Sequence, residues 1–117
     1  MLRRIFEFYR THQLMVAVEK QVRRMFGIAG ELYTASGQAL LDGKQPEFDL
    51  FERDREINLL VVDCRKKIVS HLSISNSENI GGELVLLKVC TDLERVGDYC
   101  KNIHELSELE LQQFRTR

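Results

Sequence analysis

The sequence predicts an all-α fold, an elongated antiparallel three-helix bundle, on three observations. Apolar residues recur at 3-4 spacing over three long segments, and only two short stretches carry helix-breaking residues. No run alternates with the period of two that a half-buried strand needs. With 117 residues, 44% apolar and 30% charged, the chain suits one domain with a modest core and long solvated helical faces. Residues 1–117 are read as a single domain with helices at about 2–41, 47–72 and 80–114.

In the first segment, Met15, Val22, Ala29 and Ser36 alternate with Val18, Met25, Leu32 and Ala39, which makes one apolar face. The segment "LDGKQPEFD" ends it, with Gly43 as a stop and Pro46 suited to the first turn of the next helix. The second stripe is Ile57, Val61, Cys64, Ile68 and Leu72, widened by Leu60 and Val69. A cluster of Ser, Asn and Gly, "SISNSENIGG", follows; in it Ser75 with Glu78, or Ser77, can cap the third helix. There Leu86, Leu93 and Cys100 interleave with Val89, Val96 and Ile103. Such helices span about 40 to 60 Å at ~1.5 Å per residue, and short connections make neighbours antiparallel. Phe51, Val62, Leu84 and Leu87 lie off the stripes, where a second bundle would cover them, so a homodimer is expected.

Several function classes are disfavoured. A formal net charge of −1 gives no electrostatic case for nucleic acid as partner. The basic trio Lys20, Arg23 and Arg24 lacks interleaved stacking aromatics. No segment approaches the ~18 apolar residues of a membrane span, and Glu7 and Arg10 break the start "MLRRIFEFYR", so it is no signal-peptide core. Ile5, Phe6 and Tyr9 could rest on a membrane surface, but first turns of a packed helix are the more ordinary reading. The expectation is a cytoplasmic protein, at most peripheral to the inner face of the membrane. Cys64, Cys90 and Cys100 form no CxxC or zinc-finger pattern and read as reduced core residues. No phosphate-loop, dinucleotide or HExxH motif is present, and no histidine completes Glu-x-x-His. The three histidines read as surface or helix-end residues, and the chain as a non-enzyme.

The charged residues of the third segment are more informative. Glu94, Asp98 and Asn102 fall at i, i+4 and i+8, one line of a helix. Like charges so spaced cost a few tenths of a kcal/mol unless a cation sits between them. Arg95, Lys101, a basic residue of a neighbouring helix or a metal ion could serve, against the ordinary alternative of a solvated face. Oxygen-only ligands suit Mg²⁺, Mn²⁺, Ca²⁺ or iron rather than zinc. Asp54 and Asn58 form a second i, i+4 pair at the edge of the second stripe.

The stretch "DLERVGDYCKNIHEL", Asp92 to Leu106, resembles the DLERIGDxAxNIAE signature of the PhoU family of phosphate-uptake regulators. Glu94, Gly97, Asp98 and Asn102 stand at its expected places. "ERDREINLLVVDCRKKI", Glu52 to Ile68, is similar to the family's D-x-x-(I/V)-(N/D)-x-L helix, with Asp54 and Asn58 at the polar positions. "ALLDGKQPEFDLF" is like its first connection, so the resemblance covers roughly residues 15–108. It implies a three-helix repeat whose carboxylate face can hold iron or zinc clusters. Glu94 and Asp98 are then the lead metal ligands, and Asp54 and Asn58 the weaker ones. It also implies a non-enzymatic regulator or accessory protein whose partners are a phosphate transporter, a sensor histidine kinase, or both. The alternative is a metal-free dimerisation or docking module, or the cytoplasmic domain of a sodium/phosphate cotransporter. A typical regulator carries two such repeats and this chain has one copy of the motif, which a homodimer would double.

Overall fold

A computed structural model describes the backbone of residues 1–74 and 80–115 and the side chains of residues 1–5, 12–74 and 80–111. Among these residues three helices form, α1 (Leu2–Asp42), α2 (Leu50–Ile74) and α3 (Ile80–Arg115), and there is no strand. α1 stops where Gly43 takes the left-handed conformation, φ 68°, and the N–H groups of Gly43 and Lys44 both close on the Gln38 carbonyl. α2 starts at Leu50, three residues later than the sequence suggests. The Asp49 carboxylate accepts the amides of Phe51 (2.9 Å) and Glu52 (3.4 Å), so Asp49 caps the helix and Pro46 stays in the connection. The caps expected from Ser75, Ser77 and Glu78, and the contacts of Phe6 and Tyr9, fall outside the described residues.

Cross-helix pairs fix the directions. Gln21 meets Asp63, Arg24 meets Glu56 and Glu31 meets Arg53, so α2 runs opposite to α1. His71 meets Glu83, Arg65 meets Glu94 and Asp54 meets Lys101, so α3 runs opposite to α2. The result is an antiparallel bundle of 75 × 22 × 16 Å in which every helix packs on the other two.

The α1 seam lies where the spacing puts it: Val18, Val22, Met25, Ala29, Leu32, Ser36 and Ala39 are all buried, with Ile28 and Ala35 added. On α2, Ile57, Val61, Cys64 and Ile68 are buried, and Leu60 and Leu72 pack against them. Val69 points out instead of widening the stripe. α3 differs more. Its buried line is Glu83, Cys90, Leu93, Gly97, Cys100, His104 and Ser107, whereas Val89 and Ile103 are half-buried and Val96 is exposed. The helix is turned so that small and polar residues, with Leu93, are its most buried, while Val89 packs at the edge of the core. His104 is thus buried rather than superficial, with its ring edge-on to Phe51 at 6.4 Å.

Among the described residues no helix is long and apolar enough to cross a membrane. The three cysteines are free and buried, as the sequence suggests. Burial pushes the Cys64 thiol up to about 12 and raises those of Cys90 and Cys100. Since the thiolate is the nucleophile, all three should resist a disulfide reagent such as DTNB at pH 8 in the folded protein and react at once in denaturant. Rapid labelling of any one of them without denaturant would contradict their placement in the core.

Candidate functional site: the charged groove between α2 and α3

The middle of the bundle is polar where α2 faces α3. Asp54 is only 3% exposed, so its charge must find partners inside the protein. Its Oδ2 accepts from the Lys101 ammonium at 2.9 Å and from the Asn58 amide at 3.3 Å. Its Oδ1 lies against Gly97, where a Cβ would come within 2.7 Å of that oxygen. A glycine inside a helix costs about 1 kcal/mol relative to alanine, and here the missing side chain makes room for a carboxylate of α2. Oδ1 of Asp54 and Oδ1 of Asn58 are buried and have no hydrogen-bond partner.

The Lys101 ammonium also reaches Asp98 Oδ1 at 3.6 Å, so one cation serves a buried and an exposed carboxylate. The hydrogen bond to Asp54 is the main reason its pKa is raised, against the effect of burial. Glu94, one turn earlier, faces a different cation. Arg65 of α2 stands 3.6 Å from Glu94 Oε2 and donates to the Thr91 hydroxyl at 2.9 Å. The two pairs differ in weight. Arg65 and Glu94 are more than one-third exposed, which limits such a pair to about 0–1 kcal/mol. Stripping Asp54 of its partner leaves an uncompensated buried charge, a loss of roughly 3–5 kcal/mol.

The structure therefore gathers Asp54, Asn58 and Asp98 around Lys101 and sets Glu94 beside Arg65. As arranged, the four expected ligands do not form a joint metal-binding set. The cations between them are an ammonium and a guanidinium, and among the described residues no three His, Cys, Asp or Glu side chains converge on one point. The donor arrangement fits an ammonium. Sequence reasoning found the acidic members and named Lys101 among the candidate cations, but missed Arg65. The signal for Arg65 was its spacing of eleven residues, about three helical turns, from Asp54, which puts the two on one line of α2.

An elongated three-helix bundle with its distinctive motif set in an interhelical groove defines a helical-repeat domain built on a Glu-x-x-Gly-Asp third helix. The family model described as "PhoU domain" matches residues 22–107, which include the α1 stripe from Val22 onward, the stripes of α2 and α3 and the whole groove, and the chain belongs to the PhoU family. Among curated proteins, it is 26% identical over 98 residues to a Synechocystis sp. protein named "Phosphate-specific transport system accessory protein PhoU homolog". That match covers 81% of this chain and 44% of the relative, so the chain spans less than half the relative's length. No solved structure matches.

Two substitutions test the groove. Lys101→Ala should destabilise the protein by about 3–5 kcal/mol in urea unfolding. Because the folded pKa of Lys101 is raised above 10.5, the stabilisation is fully present below that pH and is lost as pH climbs through the raised value. The wild type should thus lose stability at alkaline pH by a step the variant lacks, and equal stability of the two at pH 7 would show the pair to be energetically idle. Gly97→Ala gains about 1 kcal/mol of helix propensity yet pushes on Asp54 in a packed site. A net loss of about 1–3 kcal/mol is expected, and a more stable variant would mean that the helices do not approach as closely as described.

Proposed function

We propose that the chain is a non-enzymatic accessory or regulatory protein of phosphate transport that works as a homodimer through protein contact at the α2–α3 groove. The observation that carries this reading is the placement of the family motif. Its residues line a single groove whose floor is tied down by Asp54, Gly97 and Lys101, while Glu94, Asp98 and Asn102 occupy the accessible rim. A fixed floor with a polar rim presents the same hydrogen-bonding groups to each partner molecule, which suits recognition more than chemistry. The partner fitting this surface has basic groups that can displace Arg65 from Glu94 and reach the outward oxygens of Asp98, while Lys101 stays on Asp54. A cytoplasmic face of a phosphate transporter, or of a sensor kinase reporting on it, is the partner proposed.

A second reading adds iron or zinc at Glu94 and Asp98, with Asp54 and Asn58 behind them. The two orphaned oxygens, on Asp54 and Asn58, favour it. It requires Lys101 and Arg65 to swing out of the groove first, since both now neutralise the same carboxylates.

One pair of variants separates the readings. Deleting the gene in its cell of origin should deregulate phosphate uptake, and Glu94→Ala/Asp98→Ala should fail to restore control although the protein accumulates and is helical. Wild-type and variant protein, purified without chelator, are then analysed for metal. Failed restoration with no metal in either supports the contact reading alone, whereas metal lost only from the variant supports the second. Full restoration by the variant would sink the groove as the working surface.

A further inference from the structure

α3 has two flanks of different character. The flank toward α2 carries the polar rim, with Leu84 exposed near its start. On the flank toward α1, Val85, Val96 and Ile103 recur on one line of the helix, and on α1 Phe26, Tyr33 and Leu40 recur at intervals of seven beside them. Two shallow cavities mark the seam where these lines meet. One, of about 440 Å³, lies between Phe26 and Leu86; the other, of about 420 Å³, lies between Tyr33, Leu40 and Ile103. The strip is open to solvent: Phe26 is 55% exposed, Tyr33 70% and Val85 61%.

We infer that this α1–α3 strip is the surface on which a second copy of the chain packs. The inference deepens the homodimer of the reading above and rests on it, while leaving the α2–α3 groove free for another partner. Two observations favour a second copy over other occupants. The first is size. From Met15 to Leu41 the strip is about 40 Å long by helical rise and about 15 Å wide across two helices. That is on the order of 600 Å² per partner, at the lower bound of specific interfaces.

The second is charge. The residues bordering the strip are already paired within each helix, Glu19 with Arg23 at 3.0 Å and Lys88 with Asp92 at 2.9 Å. A two-fold axis lays the strip on its own image, and neutral borders let the copies approach without like-charge repulsion. A lipid surface would call instead for a rim of unpaired basic residues.

The test is sedimentation analysis of the full chain, wild type and two double variants, with helicity followed by circular dichroism. All the substituted residues are exposed, so each variant should fold. The wild type should sediment at twice the 13.7 kDa chain mass. Tyr33→Glu/Val85→Glu should halve that mass at unchanged helicity. Val62→Glu/Leu84→Glu, on the α2–α3 side where the sequence pattern alone would put the second bundle, should leave it intact. If the wild type is a monomer, both the dimer and its surface are overturned. If the wild type is a dimer that only the second variant dissociates, or that neither dissociates, the dimer stands and the α1–α3 strip is not its interface.

Discussion

The bundle depends on the contact at which Asp54 of α2 lies against the bare backbone of Gly97 and takes the ammonium of Lys101. An oxygen can come that close to a helix only where a side chain is missing. Once it is there, its charge must be met by the cation one turn further along the same helix. The rotation of α3 agrees with this. With Gly97 turned to α2, the residues a turn or two away on the same line, Cys90, Cys100 and His104, become the inner face. The valines at 89 and 96 are carried to the edge. A helix packed instead on its valines would bury more apolar area, at about 25 cal/mol per Å², but would leave Asp54 without its cation.

The same rotation separates two kinds of surface on α3. Its α2 flank keeps carboxylates over a floor of buried ion pairs, whereas its α1 flank keeps aliphatic side chains over a continuous apolar core. Recognition at the polar flank is set by which cations can compete with Arg65 for Glu94 and reach the exposed Asp98. Association at the apolar flank is set by area removed from water and has little chemical selectivity. A domain with both can hold a constant partner on one side while exchanging partners on the other.

How much of this the sequence disclosed varies by helix, for physical reasons. On α1 the apolar period and the buried face coincide, because two apolar neighbours compete for the same stripe, and even Ser36 was placed correctly. On α3 the strongest apolar line, Val89–Val96–Ile103, is not the most buried one. Hydrophobicity there is outvoted by size, and small residues such as Gly97 are visible in a sequence only as weak helix formers. The start of α2 was misjudged because Pro46 is a general signal for a helix beginning, while Asp49 is the residue that satisfies the first free amides. The acidic ladder was plain from spacing and family likeness. Its cations were not, since Arg65 belongs to another helix and its reach to Glu94 follows from packing.

A buried ion pair is poor evidence of stability, because desolvating both charges offsets most of their attraction. What Asp54 and Lys101 can supply is register. Long helices with seams of repeating apolar residues can slide by seven and still pair apolar with apolar. Slide α3 by seven in one direction, and Glu94 stands where Lys101 was while Cys90 replaces Gly97. Slide it in the other, and Glu108 and His104 take those places. Either way Asp54 meets a second carboxylate, which cannot share its site while both are ionised. It also meets a side chain where its own oxygen must fit. The acidic ladder of α3 thus works against the wrong registers as well as forming the rim in the right one. For these helices only the observed alignment offers Asp54 both a gap and a cation at the same level, and this fixes which residues face outward along the groove.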